Sequence, residues 1–176
     1  MKNESAIVLK ILKKNKINYD LKKKILKLKN QHFKFSIKSQ SKWFKKHIKN
    51  KDLHNLLFIK NKLIGYNCLR KMRLSNFTKK NKISKNIFWF DTLVVDKKYK
   101  GLGLSKKIML SSNKIILKNK NSGILFCKKN MIRYYKKFNW KVLNSSKIKR
   151  NKYLRLNPMV FNFNKKLKNQ MFTCNI

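Results

Sequence analysis

The sequence predicts a mixed α/β domain in which one central sheet is flanked by helices. Three observations carry that expectation. Short β-rich runs alternate with segments of helical spacing along the chain. One run, Ile87 to Val95, is almost continuously apolar, as befits a strand buried on both faces. The run gives way to a Gly-x-Gly, and a helix-spaced segment follows that at once. The 176 residues, 42% of them apolar, suffice for one packed domain, expected to span 1–176.

The elements follow in order. "AIVLKIL" (Ala6 to Leu12) reads as a strand. Leu21, Ile25 and Leu28 recur at helical spacing, with Asp20 the expected N-cap. Trp43, Phe44, His47 and Ile48 mark a second helix, expected to begin after Ser39 and Ser41. Leu56 to Arg70 is two apolar runs about Lys60-Asn61-Lys62, a hairpin. Arg73 to Asn86 is expected to be a polar connection. After the apolar run to Val95 and the glycines, Leu104, Ile108, Ile115 and Ile116 form one helical face. Gly123 to Cys127 is a further buried strand, Met131 to Phe138 a short helix, "WKVL" a strand and Pro158 to Phe163 the last strand. Lys165 to Ile176 is expected to fray.

Net charge is +43, from 48 Lys plus Arg against five acids. Polyanion binding is one explanation. Composition supplies another: 43 of the 48 are Lys and five are Arg, Asn and Ile abound, and Ala6 and Pro158 are single. A/T-rich codons produce this bias, and a phosphate reader would be expected to keep more Arg for its bidentate fork. Nucleic acid is therefore expected to bind only non-specifically. Cys68, Cys127 and Cys174 are widely spaced and odd in number, and His32, His47 and His54 share no ligand spacing with them. A reduced, cytoplasmic setting without a metal is expected. No apolar stretch approaches the ~18 residues that span a bilayer, and the N-terminus lacks a signal-peptide pattern, so no membrane association is expected.

The glycine window carries the chemistry. Gly101 and Gly103 are two of only four glycines. Between a buried strand and a helix, Gly-x-Gly turns backbone amides outward at a helix N-terminus, which suits an anion and above all a phosphate. Lys97, Lys98, Lys100 and Lys106 surround it with positive charge. The Walker spacing is missing, and the dinucleotide pattern fails because Lys106 occupies its third glycine position. A tight turn without ligand is the alternative at this point.

"LVVDKKYKGLGLSKKIM" resembles the acetyl-CoA-binding motif of the GNAT superfamily of N-acetyltransferases, [QR]-x-x-G-x-[GA]. Lys100, Gly101, Leu102, Gly103, Leu104 and Ser105 fall on its six positions in order. Lys100 keeps a charge but loses the fork, and Ser105 replaces a smaller terminal residue. "YYKKFNW" (Tyr134 to Trp140) is similar to a later block of the family, with Asn139 at the usual glycine; Asn tolerates positive φ best among other residues. The resemblance covers about residues 39–163.

The resemblance implies a single domain with a central, mostly antiparallel mixed sheet flanked by helices. It implies an acetyl-CoA-dependent N-acetyltransferase, with acetyl-CoA as co-substrate. The loop Lys100 to Ser105 would wrap the pyrophosphate, and Leu93, Val94 and Val95 would pair with the pantetheine arm. Tyr135 falls on the family's general acid, with packing as the plainer role. Asp91 falls on a strand where a glutamate often removes the amine proton, with a buried ion pair as the plainer role. Asp96 is expected to cap the turn, and Tyr134 to pack. Without a His partner, Cys127 is not expected to carry an acyl group, and His54 is expected to be structural. The bulge that in the family turns an amide toward the thioester carbonyl is not visible in the sequence. The acceptor would be a small-molecule or peptide amine, and the protein a monomer or homodimer. Two further readings stand beside this one: a basic nucleic-acid-binding module in which Trp43, Phe88 and Trp89 stack on bases, and a non-catalytic coenzyme A-binding protein.

Overall fold

A computed structural model describes residues 6–33, 35–76, 84–144, 148–149, 156–163 and 172–173. The strands are β1 (Ile7–Lys13), β2 (Leu53–Ile59), β3 (Lys62–Asn76), β4 (Ser84–Val95), β5 (Gly123–Cys127), β6 (Lys141–Val142), β7 (Ile148–Lys149), β8 (Asn157–Phe161) and β9 (Phe172–Thr173). The helices are α1 (Tyr19–Asn30), α2 (Ile37–His47), α3 (Leu104–Lys118) and α4 (Ile132–Lys136). Seven strands form a mixed, mostly antiparallel sheet in the order β1-β2-β3-β4-β5-β8-β6, and β9 pairs with β3 and β7. The expected α/β class is present and the expected elements follow in order, but β7 and β9 are additions, and β9, not the strand at Pro158, is the last of the described strands. The expected frayed tail lies outside the described residues except for β9.

Contacts divide the chain into two compact units. The first runs to Arg70 and resumes over Phe90–Ser112. Here β2 joins β3 through Lys60 and Asn61, both at positive φ (42° and 62°), which is the hairpin turn expected from the sequence. Strand alternation then splits the core. Leu56, Tyr66, Cys68 and Val94 pack with Ile25, Leu28 and Phe44 of α1 and α2. Leu57 and Ile64 pack with Leu104 and Ile108 of α3.

The second unit takes Lys71–Trp89 and the chain from Asn113. In it β4 pairs in parallel with β5 (Phe88↔Gly123, Trp89↔Ile124), and β5 pairs antiparallel with β8. Trp140 fixes this core. Its Nε1 donates to Asn113 Oδ1 (3.0 Å), and its ring stacks on Phe161. Phe88 is fully buried, and Trp89 packs edge-on against Phe126.

Three boundaries differ from the sequence reading. Asn18, not Asp20, caps α1: its side chain accepts from the Leu21 amide at 2.9 Å. Asn caps as well as Asp, and Asp20 sits in the first turn, where the helix dipole favours an acid. Ser36 caps α2, so Ser39 and Ser41 lie inside that helix. The expected polar connection is shorter, because β3 runs to Asn76 and β4 starts at Ser84. Buried Leu74, packed against Ile87, continues the alternation that charged neighbours obscured.

Candidate functional site

At the end of β4, Asp96 accepts from the Lys98 amide (3.0 Å) and lies 3.5 Å from Lys62 Nζ. Burial pulls its pKa up, but the Lys98 amide and Lys62 outweigh it, and the carboxyl sits below its usual value. Asp96 is thus the turn cap expected from the sequence. His32 Nε2 hydrogen-bonds the Val95 carbonyl (2.7 Å), and Gln31 Oε1 accepts from the Lys97 amide (3.0 Å). The chain then reaches Gly101 and Gly103 at φ of 88° and 67°, and α3 begins at Leu104. A Cβ on either glycine would meet nothing within 4 Å. These glycines are therefore required by backbone conformation and not by crowding within the protein. Among the described residues, the Gly101, Leu102 and Gly103 amides have no backbone acceptor. Lys97, Lys98, Lys100, Leu102 and Lys106 are exposed, Ser105 is half-buried and Leu104 is buried. The window has the elements of an anion seat: open amides, a helix N-terminus and surrounding ammonium groups.

Upstream, Thr92 lies at φ 58° inside β4. A β-branched residue in the left-handed region is a true outlier and costs about 1–3 kcal/mol. It breaks the two-residue alternation. Asp91 and Val94, three apart, both face the α1/α2 side, while Leu93 and Val95 pack toward α3. Below it, Asn67 Nδ2 donates to the carbonyls of Thr92 (3.1 Å) and Asp91 (3.2 Å).

Asp91 meets the paired state that burial demands. Its Oδ2 is 3.5 Å from Arg70 Nη1, and its Oδ1 accepts from Thr92 Oγ1 (3.2 Å). Burial dominates the opposing pull of Arg70 and Lys29, so its pKa is raised. Arg70 also donates to the His47 carbonyl (3.1 Å) and lies over the Trp43 ring. Lys29 Nζ is 4.6 Å from the same ring, and burial lowers its pKa. Trp43 is therefore a half-buried platform for two cations. His54 is fully buried, with Nδ1 2.9 Å from Tyr66 Oη. Burial, then Lys14 and Lys29, lowers its pKa to about 4, so it is neutral at physiological pH.

In the second unit, Tyr135 is buried on α4 with its ring edge-on to Tyr134, which also packs against Phe138. Burial raises the Tyr135 pKa. Asn139, at φ 63°, ends α4: its amide bonds Lys136 O, and the Trp140 amide reaches back to Tyr135 O. This is the Schellman closure that usually takes glycine, as the sequence anticipated for Asn139. Cys127 is buried with Sγ 3.6 Å from Met159 Sδ, and burial raises its pKa.

No protein-family model matches the sequence, and no curated protein matches it. Solved structures do. A GNAT family N-acetyltransferase, YhbS from Escherichia coli, in complex with CoA, superposes at TM-score 0.70 with 12% identity, over 98% of this chain and 92% of that one. An acyl-CoA N-acyltransferase from Pseudomonas aeruginosa does so at 0.64 with 9% identity, over 88% and 97%. The N-acetyltransferase YlbP from Bacillus subtilis, in complex with coenzyme A, gives 0.57 with 13% identity, over 88% and 96%. The chain has the GNAT fold.

Within the first unit of this GNAT fold, β4 brings Asp91, the Thr92 bulge, Leu93 to Val95 and the glycine window into one continuous run. Sequence reasoning missed Asn55, Asn67, Ser111 and Ser112, which form a polar cluster beside that run. The available signal was a pair of Asn residues, each inside an apolar strand and directly opposed in register (Asn55↔Asn67). It was hidden because Asn is common throughout the chain. Lys29 and Arg70 were likewise lost among 48 basic residues. Among the described residues no cluster of potential ligands could hold a metal, and no helix is long and apolar enough to cross a membrane.

Proposed function

We propose that this protein transfers an acetyl group from acetyl-CoA to a primary amine, directly, in a ternary complex. The observation that carries the reading is the run from the Thr92 bulge through Gly101 and Gly103 to the start of α3. It combines an interrupted strand with an open anion seat. The GNAT fold and the coenzyme A named with two of the matched structures support it.

In this reading the Lys100–Ser105 loop holds the pyrophosphate through backbone amides, and Leu93 to Val95 line the pantetheine arm. Asp91, with its raised pKa, takes the proton of the acceptor ammonium so that a neutral amine attacks. A β4 amide beside the bulge stabilises the developing oxyanion. The C–N bond forms, the C–S bond breaks, and Tyr135 gives its proton to the leaving thiolate; the second proton shed by the acylated nitrogen, passed through solvent, restores the phenol. A phenol is protonated at neutral pH, which a proton donor requires, and burial makes Tyr135 hold that proton more tightly.

Isothermal titration of the purified protein with acetyl-CoA tests the reading, and saturable binding is expected. No heat of binding at millimolar acetyl-CoA would overturn it. Tyr135→Phe is expected to lower turnover about a hundredfold while acetyl-CoA affinity stays within about twofold. Unchanged turnover removes Tyr135 from the mechanism, and binding without turnover on any amine identifies a non-catalytic coenzyme A protein.

A further inference from the structure

The Thr92 bulge poses a question that its own sequence does not answer. Threonine has no intrinsic reason to adopt φ 58°, so the surroundings must impose it. Successive carbonyls of an extended strand point to opposite edges. At the bulge, the carbonyls of Asp91 and Thr92 converge on one donor group, Asn67 Nδ2, at 3.2 and 3.1 Å. The Cys68 carbonyl also lies within reach of it, at 3.3 Å.

Asn67 is in turn held from behind. It is fully buried. Its Oδ1 accepts from Asn55 Nδ2 (3.1 Å) and from Ser112 Oγ (3.0 Å). Asn55 Nδ2 reaches Ser112 Oγ as well (2.9 Å), and Ser111 Oγ reaches Asn55 Oδ1 (3.4 Å). Donors meet the Asn67 oxygen and carbonyls meet its nitrogen, so the orientation of the amide is fixed by chemistry. The cluster draws on β2, β3 and α3, and α3 is the helix whose N-terminus forms the anion seat.

We propose that Asn67 is a positioning residue: its carboxamide pins the Thr92 bulge and thereby fixes the β4 amide that meets the acyl carbonyl. This rests on the acyl-transfer reading. A bulge one residue earlier or later would exchange the faces taken by Asp91 and by Leu93 to Val95. Asn67 prevents that slip by binding the two carbonyls that only a left-handed Thr92 brings together. Aspartate at 67 would set carboxylate oxygens against those carbonyls. Alanine would remove the donor that the two carbonyls share.

The test compares acetyl-CoA with CoA, which differ only in the acyl group that the bulge is to meet, and so needs no acceptor. Affinities of the full-length protein for both are measured by titration, with circular dichroism to confirm folding. Asn67→Ala and Asn67→Asp are expected to lower the ratio of acetyl-CoA to CoA affinity about fivefold, the worth of one hydrogen bond. CoA affinity itself should stay within about threefold. Adding Thr92→Gly to Asn67→Ala should restore at least half of the ratio, because glycine adopts positive φ without strain. A purely structural Asn67 would instead weaken both ligands together. An unchanged ratio, or a common loss in folded protein, overturns the proposal. If the Asn67 variants do not fold, Ser112→Ala decides. It removes one of the two donors that orient Asn67, and a ratio lowered about twofold supports the proposal while no change overturns it. Wild type that binds neither ligand overturns the acyl-transfer reading, and this proposal with it.

Discussion

Asp91 is a carboxylate in an apolar strand, and its environment sets what it can do. Burial favours the neutral acid, and Arg70 and Lys29 favour the anion; burial wins. The base form appears as pH rises through a pKa above the ordinary 3.8. The acidic limb of kcat/KM is therefore expected above the usual carboxylate range. In Asp91→Asn that limb should vanish, and turnover should fall about a hundredfold. A pH–rate profile from pH 4 to 8 checks this, and an unaltered acidic limb would make Asp91 a structural partner of Arg70. The same shift has a cost in stability. The folded protein holds the Asp91 proton more tightly than the unfolded chain does, so this group opposes folding increasingly as pH rises from 3.8 to its raised pKa.

At the scale of elements, the four glycines separate into two kinds. A Cβ at Gly65 would lie 2.8 Å from Ile108 Cδ1, and one at Gly123 would lie 2.8 Å from the Trp140 ring, so both positions are constrained by packing. Gly101 and Gly103 have open space and positive φ instead. Gly103→Ala should then cost only about 1 kcal/mol of stability, read by urea unfolding. It should lower acetyl-CoA affinity at least tenfold, because the methyl group projects where backbone is to approach phosphate. Loss of stability without loss of affinity would show that the loop is only a turn. This window was legible because two glycines stand out in a chain so poor in them. The hairpin was legible because Lys60-Asn61 interrupts two apolar runs, and the α4 closure because Asn139 replaces glycine at a known position. The Thr92 bulge was not: Asp91-Thr92 is a short polar step in a run otherwise continuously apolar, with no alternation for a bulge to break, and the signal lies on β3, in an Asn67 that composition disguised. Asn18 outranked Asp20 as a cap because cap geometry depends on where the helix begins, which spacing alone fixes only to a residue or two.

Over the whole molecule, the five acids bear on the meaning of the charge. Asp20 sits in the first turn of α1, Asp52 accepts the Lys49 amide at 2.7 Å, Asp91 faces Arg70 and Asp96 caps its turn; Glu4 lies outside the described residues. Each described acid thus has a defined local place, at a helix start, on a backbone amide or beside Arg70, while many of the lysines are exposed. Trp43, Phe88 and Trp89, the aromatics that could have stacked on bases, are occupied within the protein. Trp43 lies under Lys29 and Arg70, Phe88 is buried and Trp89 packs on Phe126. A surface of this kind would bind polyanions by counterion release, without reading sequence. Two salt dependences should therefore separate. Affinity for duplex DNA or RNA, measured by fluorescence anisotropy, should fall about a thousandfold or more between 50 and 200 mM salt and be indifferent to sequence. Affinity for acetyl-CoA should fall less than about tenfold over the same range if, as proposed, backbone amides at a helix start hold its pyrophosphate in addition to exposed lysines. Parallel slopes would mean that acetyl-CoA is bound only as another polyanion. Salt-resistant, sequence-selective binding of nucleic acid would shift the function away from acyl transfer, toward a nucleic-acid partner.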